Sequence, residues 1–237
     1  MKVELNITLA CNLSCHGCDR MCNIYKNRTE HMSLEQIDKF IKHSKGRTIE
    51  RIKILGGEPL LHPQFVEIYN KLMFAFIGNR RTRLIKVESN HLLPIPDIKQ
   101  TFSMLVAGVD PIEKKHLPYW WHPKDLGYDI PAQYKCRHLN RCGTSLDKYG
   151  YLPCSAAIML VRLFGLTDLY RDYLPYKPWG LEKLCQHCIF GMSKSWRAKH
   201  SKYIKEFPEE YKIPTKRFKE AMEKFDHNEF YKTQKEF

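Results

Sequence analysis

The sequence contains no run of eighteen apolar residues, so it encodes no membrane-crossing helix. It also lacks a signal peptide. The opening MKVELNITLAC alternates apolar and polar side chains, with neither an apolar stretch nor a small-residue cleavage site. A cytoplasmic chain with no membrane partner is the expectation. Acidic residues are scarce: Asp and Glu number 26 against 39 Lys and Arg, a net charge of +13. That surplus is dispersed, with +4 from residue 192 onward, +9 before it and one knot at Arg80, Arg81 and Arg83. A dispersed surplus describes a solvated lysine-rich surface; the alternative that charge permits is an anionic partner such as tRNA.

Cysteine, by contrast, is plentiful. Nine cysteines in 237 residues, in a reducing compartment, point to metal ligands or reactive thiols rather than a disulfide framework. Hydrophobic residues at 43% suffice to bury a core, and 27% charged residues are ordinary for a soluble protein.

Residues 2–9 place Val3, Leu5, Ile7 and Leu9 at period two, a strand that ends just before the first cysteines. Ser33, three residues before Gln36, starts a helix with a capping-box spacing; Ile37, Phe40 and Ile41 form its apolar stripe, and Gly46 closes it. A second strand, 51–55, runs into Gly56-Gly57-Glu58-Pro59. Pro63 then sits at the first turn of another helix, with Phe65, Ile68, Tyr69 and Leu72 as its stripe. Strands over 83–89 and 102–109 follow, with at most a short helical turn near Ile98 between them. Strand and helix alternating in units of about thirty residues means βαβ crossovers and a parallel sheet. A complete eight-fold barrel needs about 250 residues, so any barrel here is partial. The expected division is an α/β partial barrel over 1–130, a small cysteine-rich α+β domain over 131–191, and a charged helical extension over 192–237.

Cys11, Cys15 and Cys18 form C-x3-C-x2-C in the loop after the first strand. Ligands of α/β folds collect at the carboxyl ends of parallel strands, so the position suits a cofactor. Three thiolates fit a four-iron cluster with one iron left for an outside ligand; Cys22 as a fourth would make a closed zinc knuckle.

Together with Gly56-Gly57-Glu58-Pro59 after the second strand, this motif resembles the radical SAM superfamily. The resemblance implies that Cys11, Cys15 and Cys18 hold three irons of a 4Fe–4S cluster and that S-adenosylmethionine (SAM) chelates the fourth. Gly56 and Gly57 would let backbone approach the methionine moiety, beside Glu58 and Pro59. Ser89 and Asn90 match the family's polar strand-end pair contacting SAM. The implied activity is reductive cleavage of SAM to a 5′-deoxyadenosyl radical, fed by a reductant such as flavodoxin or ferredoxin. Gly17 stands where many members carry an aromatic residue near the adenine, so adenine contacts come from elsewhere. With the GGEP motif present, Cys22 reads as a core thiol.

Cys142 and Cys154 bracket a β-hairpin turning around Asp147 to Gly150, and Cys185-x-x-Cys188 follows. By spacing alone this is a zinc ribbon or an iron–sulfur site. In context it resembles the SPASM/twitch extension, which implies one auxiliary iron–sulfur cluster, of 4Fe–4S type. Cys142, Cys154, Cys185 and Cys188 are the expected ligands and Cys136 the alternate. The hairpin has three residues between Gly150 and Cys154 where the extension usually has four.

The run HLPYWWHP (116–123) reads as core or lid packing, His62 as a helix-start residue, and His187 as a bystander among thiolates. Phe218, Met222 and Phe225 mark a tail helix packed on the body. The relatives point first to oxidative modification of a peptide or protein side chain, although no leader-binding segment precedes the motif. A small-molecule dehydrogenase acting on a sugar or aminocyclitol is the second reading and tRNA modification the third. A non-catalytic zinc module that binds nucleic acid stands outside the enzyme class.

Overall fold

The computed structural model describes residues 1–15, 17–22, 24, 30–77, 82–98, 104–108, 120–193, 195–196 and 213–237, without the side chains of 83, 104–108, 137 and 227. Arg80, Arg81, the Arg83 side chain and residues 116–119 of the aromatic run therefore lie outside the described positions. Among the described residues no helix is long and apolar enough to cross a membrane.

Among the described residues six strands form one sheet: β1 (Lys2–Thr8), β2 (Ile49–Gly56), β3 (Thr82–Ser89), β4 (Met104–Gly108), β5 (Thr144–Asp147) and β6 (Gly150–Leu152), in the order β4-β3-β2-β1-β5-β6. All neighbours are parallel except β5 and β6. β5 pairs with the free side of β1, so the sheet crosses residue 131 without a break. The expected division at that residue is a change of sequence character inside one continuous sheet.

One face of the sheet is apolar. Val3, Leu5 and Ile7 of β1, Ile52 and Ile54 of β2, and Ile85 and Val87 of β3 pack in one core with the helices α1 (Leu34–His43) and α2 (Phe65–Leu72). Leu9 lies beyond the strand end and joins the second core instead. α1 starts as its sequence dictates: Ser33 accepts from the Gln36 amide, and the Gln36 side chain accepts from the Ser33 amide. Pro63 lies just outside α2, whose N-cap is Gln64; the proline at a helix start is Pro59, in a 3-10 turn over Pro59–Leu61. His62 accepts from the Gln64 amide and bonds the Met32 carbonyl, a local brace. Near Ile98 no helix forms among the described residues; its amide bonds Pro96 O instead.

The opposite face carries the alternating polar residues Glu4, Asn6, Lys53, Lys86 and Glu88. Register sets Glu4 beside Lys53 and Lys53 beside Lys86, so three charged side chains share one level. Strands covered on both faces normally read as near-continuous apolar runs. This polar face therefore serves something other than packing.

The second core surrounds α3 (Ala157–Leu163), every residue of which is buried. Within it the Arg162 side chain, at 0% exposure, donates to Glu30 Oε1 at 2.8 Å and Asp147 Oδ2 at 2.9 Å. α4 (Lys216–Lys224) packs Phe218 here, with Met222 and Phe225 alongside. Trp120 and Trp121 are buried in the same core; their indoles donate to Cys18 O at 3.3 Å and Ile213 O at 3.1 Å. The described part of the aromatic run thus braces the first cysteine loop and the tail, not the wall of a site.

His122 caps the 3-10 turn Pro123–Leu126 through Nδ1, which accepts from the Lys124 amide at 3.2 Å. That bond fixes the tautomer, so Nε2–H donates to His187 Nδ1 at 3.0 Å. Burial, and then His187, push its pKa down from 6.5 to about 4. The unfolded chain takes up this proton first as pH falls, so the stabilisation is complete above about pH 6.5 and is lost towards pH 4. Thermal melts across that window are expected to fall with pH. A smaller slope is expected for His122→Asn, which keeps a capping acceptor.

Candidate active site and a second thiol cluster

The first cysteine loop leaves the carboxyl end of β1 and is fastened to the end of β2. The Gly57 amide donates to Thr8 O at 2.8 Å, and the Glu58 amide to Ala10 O at 2.7 Å. A Cβ on Gly56 would stand 2.2 Å from Thr8 O, and one on Gly57 2.2 Å from Ala10 O and 2.9 Å from the Cys11 Cβ. The glycine pair thus lets backbone approach backbone: its immediate partner is the cysteine loop. Gly57→Ala is expected to displace that loop and lower the iron bound at the first site, read as iron per chain after anaerobic reconstitution.

Glu58 is 1% exposed and acts as a brace. Oε1 accepts from the Leu60 amide at 3.0 Å and Oε2 from the Asn90 amide at 2.8 Å, joining the ends of β2 and β3. Asn90 Nδ2 reaches Asn12 Oδ1 at 2.7 Å, so the third strand end also holds the cysteine loop. Ser89 and Asn90 line the cavity; Pro59 is buried and starts the 3-10 turn without lining it.

A cavity of about 310 Å³ opens at this edge. Cys11, Cys15 and Cys18 form one wall, with Gly56 and Gly57 beside them. Burial raises the pKa of Cys11 and Cys15. Cys18 goes the other way, down to about 7, because the Cys22 thiol donates to it; Cys22 is itself pushed well above the ordinary thiol range by the same bond. Cys22 is therefore both a core residue, at 1% exposure, and a protonated support for a Cys18 thiolate.

The cavity floor is the polar face of the sheet. Glu4 accepts from Lys53 at 2.6 Å and from Arg20 at 3.0 Å; Lys53 also meets Glu88 at 3.2 Å, and Arg20 pairs with Asp19. Burial pulls the Lys53 pKa down, but Glu4 and Glu88 outweigh it and hold it raised. Burial likewise pushes Glu88 up, and Lys53 and Lys86 reverse the sign. Sequence reading missed this layer. Its signal was charged residues at period two within strands of a parallel sheet.

Of the second cysteine set, Cys136, Cys154, Cys185 and Cys188 surround one small apolar pocket. Cys142, expected among these ligands, lies instead on the wall of the main cavity with Ser155 and His138. The reason is local: Gly143, at φ +83°, sits so close to Lys2 that a Cβ would be 2.1 Å from its carbonyl oxygen. Cys142 is thereby tied to the β1 side, while the five-residue helix Arg137–Arg141 carries Cys136 to the other thiols. No disulfide joins any of the nine cysteines. Among the described residues no three His, Cys, Asp or Glu side chains already stand at coordinating geometry; what the fold supplies is grouping. Burial raises the pKa of Cys154, Cys185 and Cys188, the last to about 12, and each thiol raises its neighbours further. Four thiols gathered in an apolar pocket ionise together only when a cation offsets their charge, which makes this donor set fit a thiolate-bound metal centre.

An open α/β sheet with a thiol-walled cavity at its strand ends defines a half-barrel with a cofactor cradle. Comparison agrees with that geometry: the model of the radical SAM superfamily matches residues 5–106, a span that holds Cys11, Cys15, Cys18, Gly56, Gly57, Glu58, Pro59, Ser89 and Asn90, and this part of the chain is a radical SAM domain. The cofactors of such a domain are SAM and a 4Fe–4S cluster. A GTP 3′,8-cyclase of Synechocystis sp. is 27% identical over 39% of this chain and 27% of its own length. A probable GTP 3′,8-cyclase of Methanococcus maripaludis is 33% identical over 38% of this chain and 28% of its own length. The chain thus spans little more than a quarter of these relatives. A crystal structure of BtrN in complex with AdoMet and 2-DOIA overlaps 38% of this chain and 35% of that one at 19% identity, with a TM-score of 0.31. That likeness is too slight to carry an argument.

Proposed function

We propose that this protein is a radical SAM enzyme acting on a small-molecule substrate. The observation that carries this reading is the single cavity with three thiols and a glycine edge on one wall and a charged floor beneath. Cys11, Cys15 and Cys18 would hold a 4Fe–4S cluster. Gly56, Gly57, Ser89 and Asn90 would lie against SAM, with Glu58 and Pro59 setting the loop that carries them. The bound cofactors supply reductive cleavage of SAM and a radical that takes hydrogen from an unactivated C–H bond. The chain contributes position and exclusion: Glu58 and Asn90 fix the strand-end loops around the cradle, Cys22 supports Cys18, and Trp120 braces the cysteine loop from behind.

The peptide-modifying reading gives way to the small-molecule one. The relatives are named for a nucleotide, itself a small-molecule substrate. Cys136, Cys154, Cys185 and Cys188 are proposed to hold an auxiliary iron–sulfur cluster of the twitch type. The electron source would be a flavodoxin- or ferredoxin-type donor.

Anaerobic purification tests the reading. About eight irons with matching sulfide per chain, and 5′-deoxyadenosine formed from SAM on reduction with dithionite, are expected. A colourless protein with stoichiometric zinc would overturn it in favour of a structural metal module.

A further inference from the structure

We infer that the charged floor of the cavity is a substrate-recognition layer that accepts a hydroxyl-rich small molecule without phosphate and rejects polyanions such as nucleoside triphosphates. This rests on the radical SAM reading for its location and adds the substrate class. The argument is one of committed charge. Among the described residues the cavity is lined by two cationic side chains, Arg20 and Lys53, and three acidic ones, Glu4, Asp19 and Glu88. Neither cation is available to an incoming anion. Lys53 is held between Glu4 at 2.6 Å and Glu88 at 3.2 Å, and Arg20 between Glu4 at 3.0 Å and Asp19, with its Nε donating to Asn6 at 2.7 Å.

A triphosphate would bring several negative charges over a floor whose described cations, Lys86 at 2.9 Å from Glu88 included, are already paired with carboxylates. A polyol meets the same surface differently. The carboxylate oxygens keep lone pairs to accept from hydroxyls, and the buried Ser155 and Ser89 add hydroxyl groups to the lining. An amine on such a molecule would add a favourable charge. The strand register holds Glu4 and Lys53 at one level, so these partners are fixed before a ligand arrives.

The test is equilibrium dialysis of the reconstituted holoenzyme with SAM, using D-glucosamine and GTP as probes. The wild type is expected to retain D-glucosamine at least tenfold more tightly than GTP. Glu4→Gln strips the shared carboxylate from Arg20 and Lys53 and is expected to tighten GTP at least tenfold. Glu88→Gln, at the more exposed end of the layer, is expected to shift GTP the same way and serves if Glu4→Gln does not fold. The inference is overturned by a wild type that holds GTP as tightly as D-glucosamine, by retention of neither probe, or by GTP affinity unchanged in the carboxamide variants. The radical SAM reading fails separately, by the absence of 5′-deoxyadenosine from SAM under dithionite, a readout that involves neither probe.

Discussion

Cys15→Ala is expected to reduce 5′-deoxyadenosine formation to background, while Cys136→Ala removes about half of the chain's iron and leaves SAM cleavage measurable. Cys142→Ala is expected to keep the iron of both sites. The three substitutions separate three environments that the sequence presents alike. Cys15 stands on the cavity wall with Cys11 and Cys18, where losing one of the three proposed ligands would leave no stable cluster to reduce SAM. Cys136 faces Cys154, Cys185 and Cys188 in a different pocket. Cys142 lines the main cavity beside Glu4 and Ser155, away from that group. Iron and sulfide per chain, with the low-temperature spectra of the reduced protein, read all three. If Cys142→Ala loses half the iron and Cys136→Ala loses none, the assignment of the second site is reversed.

Arg162→Ala is expected to destabilise the protein by about 3–5 kcal/mol, because it leaves buried carboxylates without their cation. Glu30 and Asp147 are both buried, and Tyr170 donates to Asp147 at 2.9 Å, so neither carboxylate reaches water to recover solvation. For a chain of this size the melting temperature falls by roughly 2–4 °C per kcal/mol, so about 6–20 °C in all. The consequence reaches the active site, since the Glu30 carbonyl accepts from the Leu9 amide at 3.0 Å at the entrance to the cysteine loop. Iron incorporation is therefore expected to fall together with stability. Arg162→Met combined with Glu30→Gln and Asp147→Asn removes the charges as a set and should recover part of the loss; no recovery would assign the defect to packing.

Much of the architecture was legible because it is written locally. Period-two apolar residues in 2–9, 51–55 and 83–89, and the Ser33–Gln36 capping box, specify strands and a helix through contacts a few residues apart. The first cysteine motif and the glycine edge were legible for the same reason, as each lies in one short segment. The end of α2 was less so. Pro63 satisfied the pattern for a helix start, but a 3-10 turn at Pro59 took that role and moved the N-cap to Gln64.

The sequence by itself determined the radical SAM motif, the parallel strands and the existence of a second thiol group, because those depend on spacing and periodicity along the chain. Only the tertiary structure decided which cysteines meet. Cys136 and Cys142 flank the same short helix and are equivalent in spacing, and the pairing of β5 with β1 sends them to opposite sides. It also decided that Glu4, Lys53 and Glu88, from three different strands, form one paired layer. Their partnership exists only once parallel register brings residues 49 and 35 positions apart to neighbouring places.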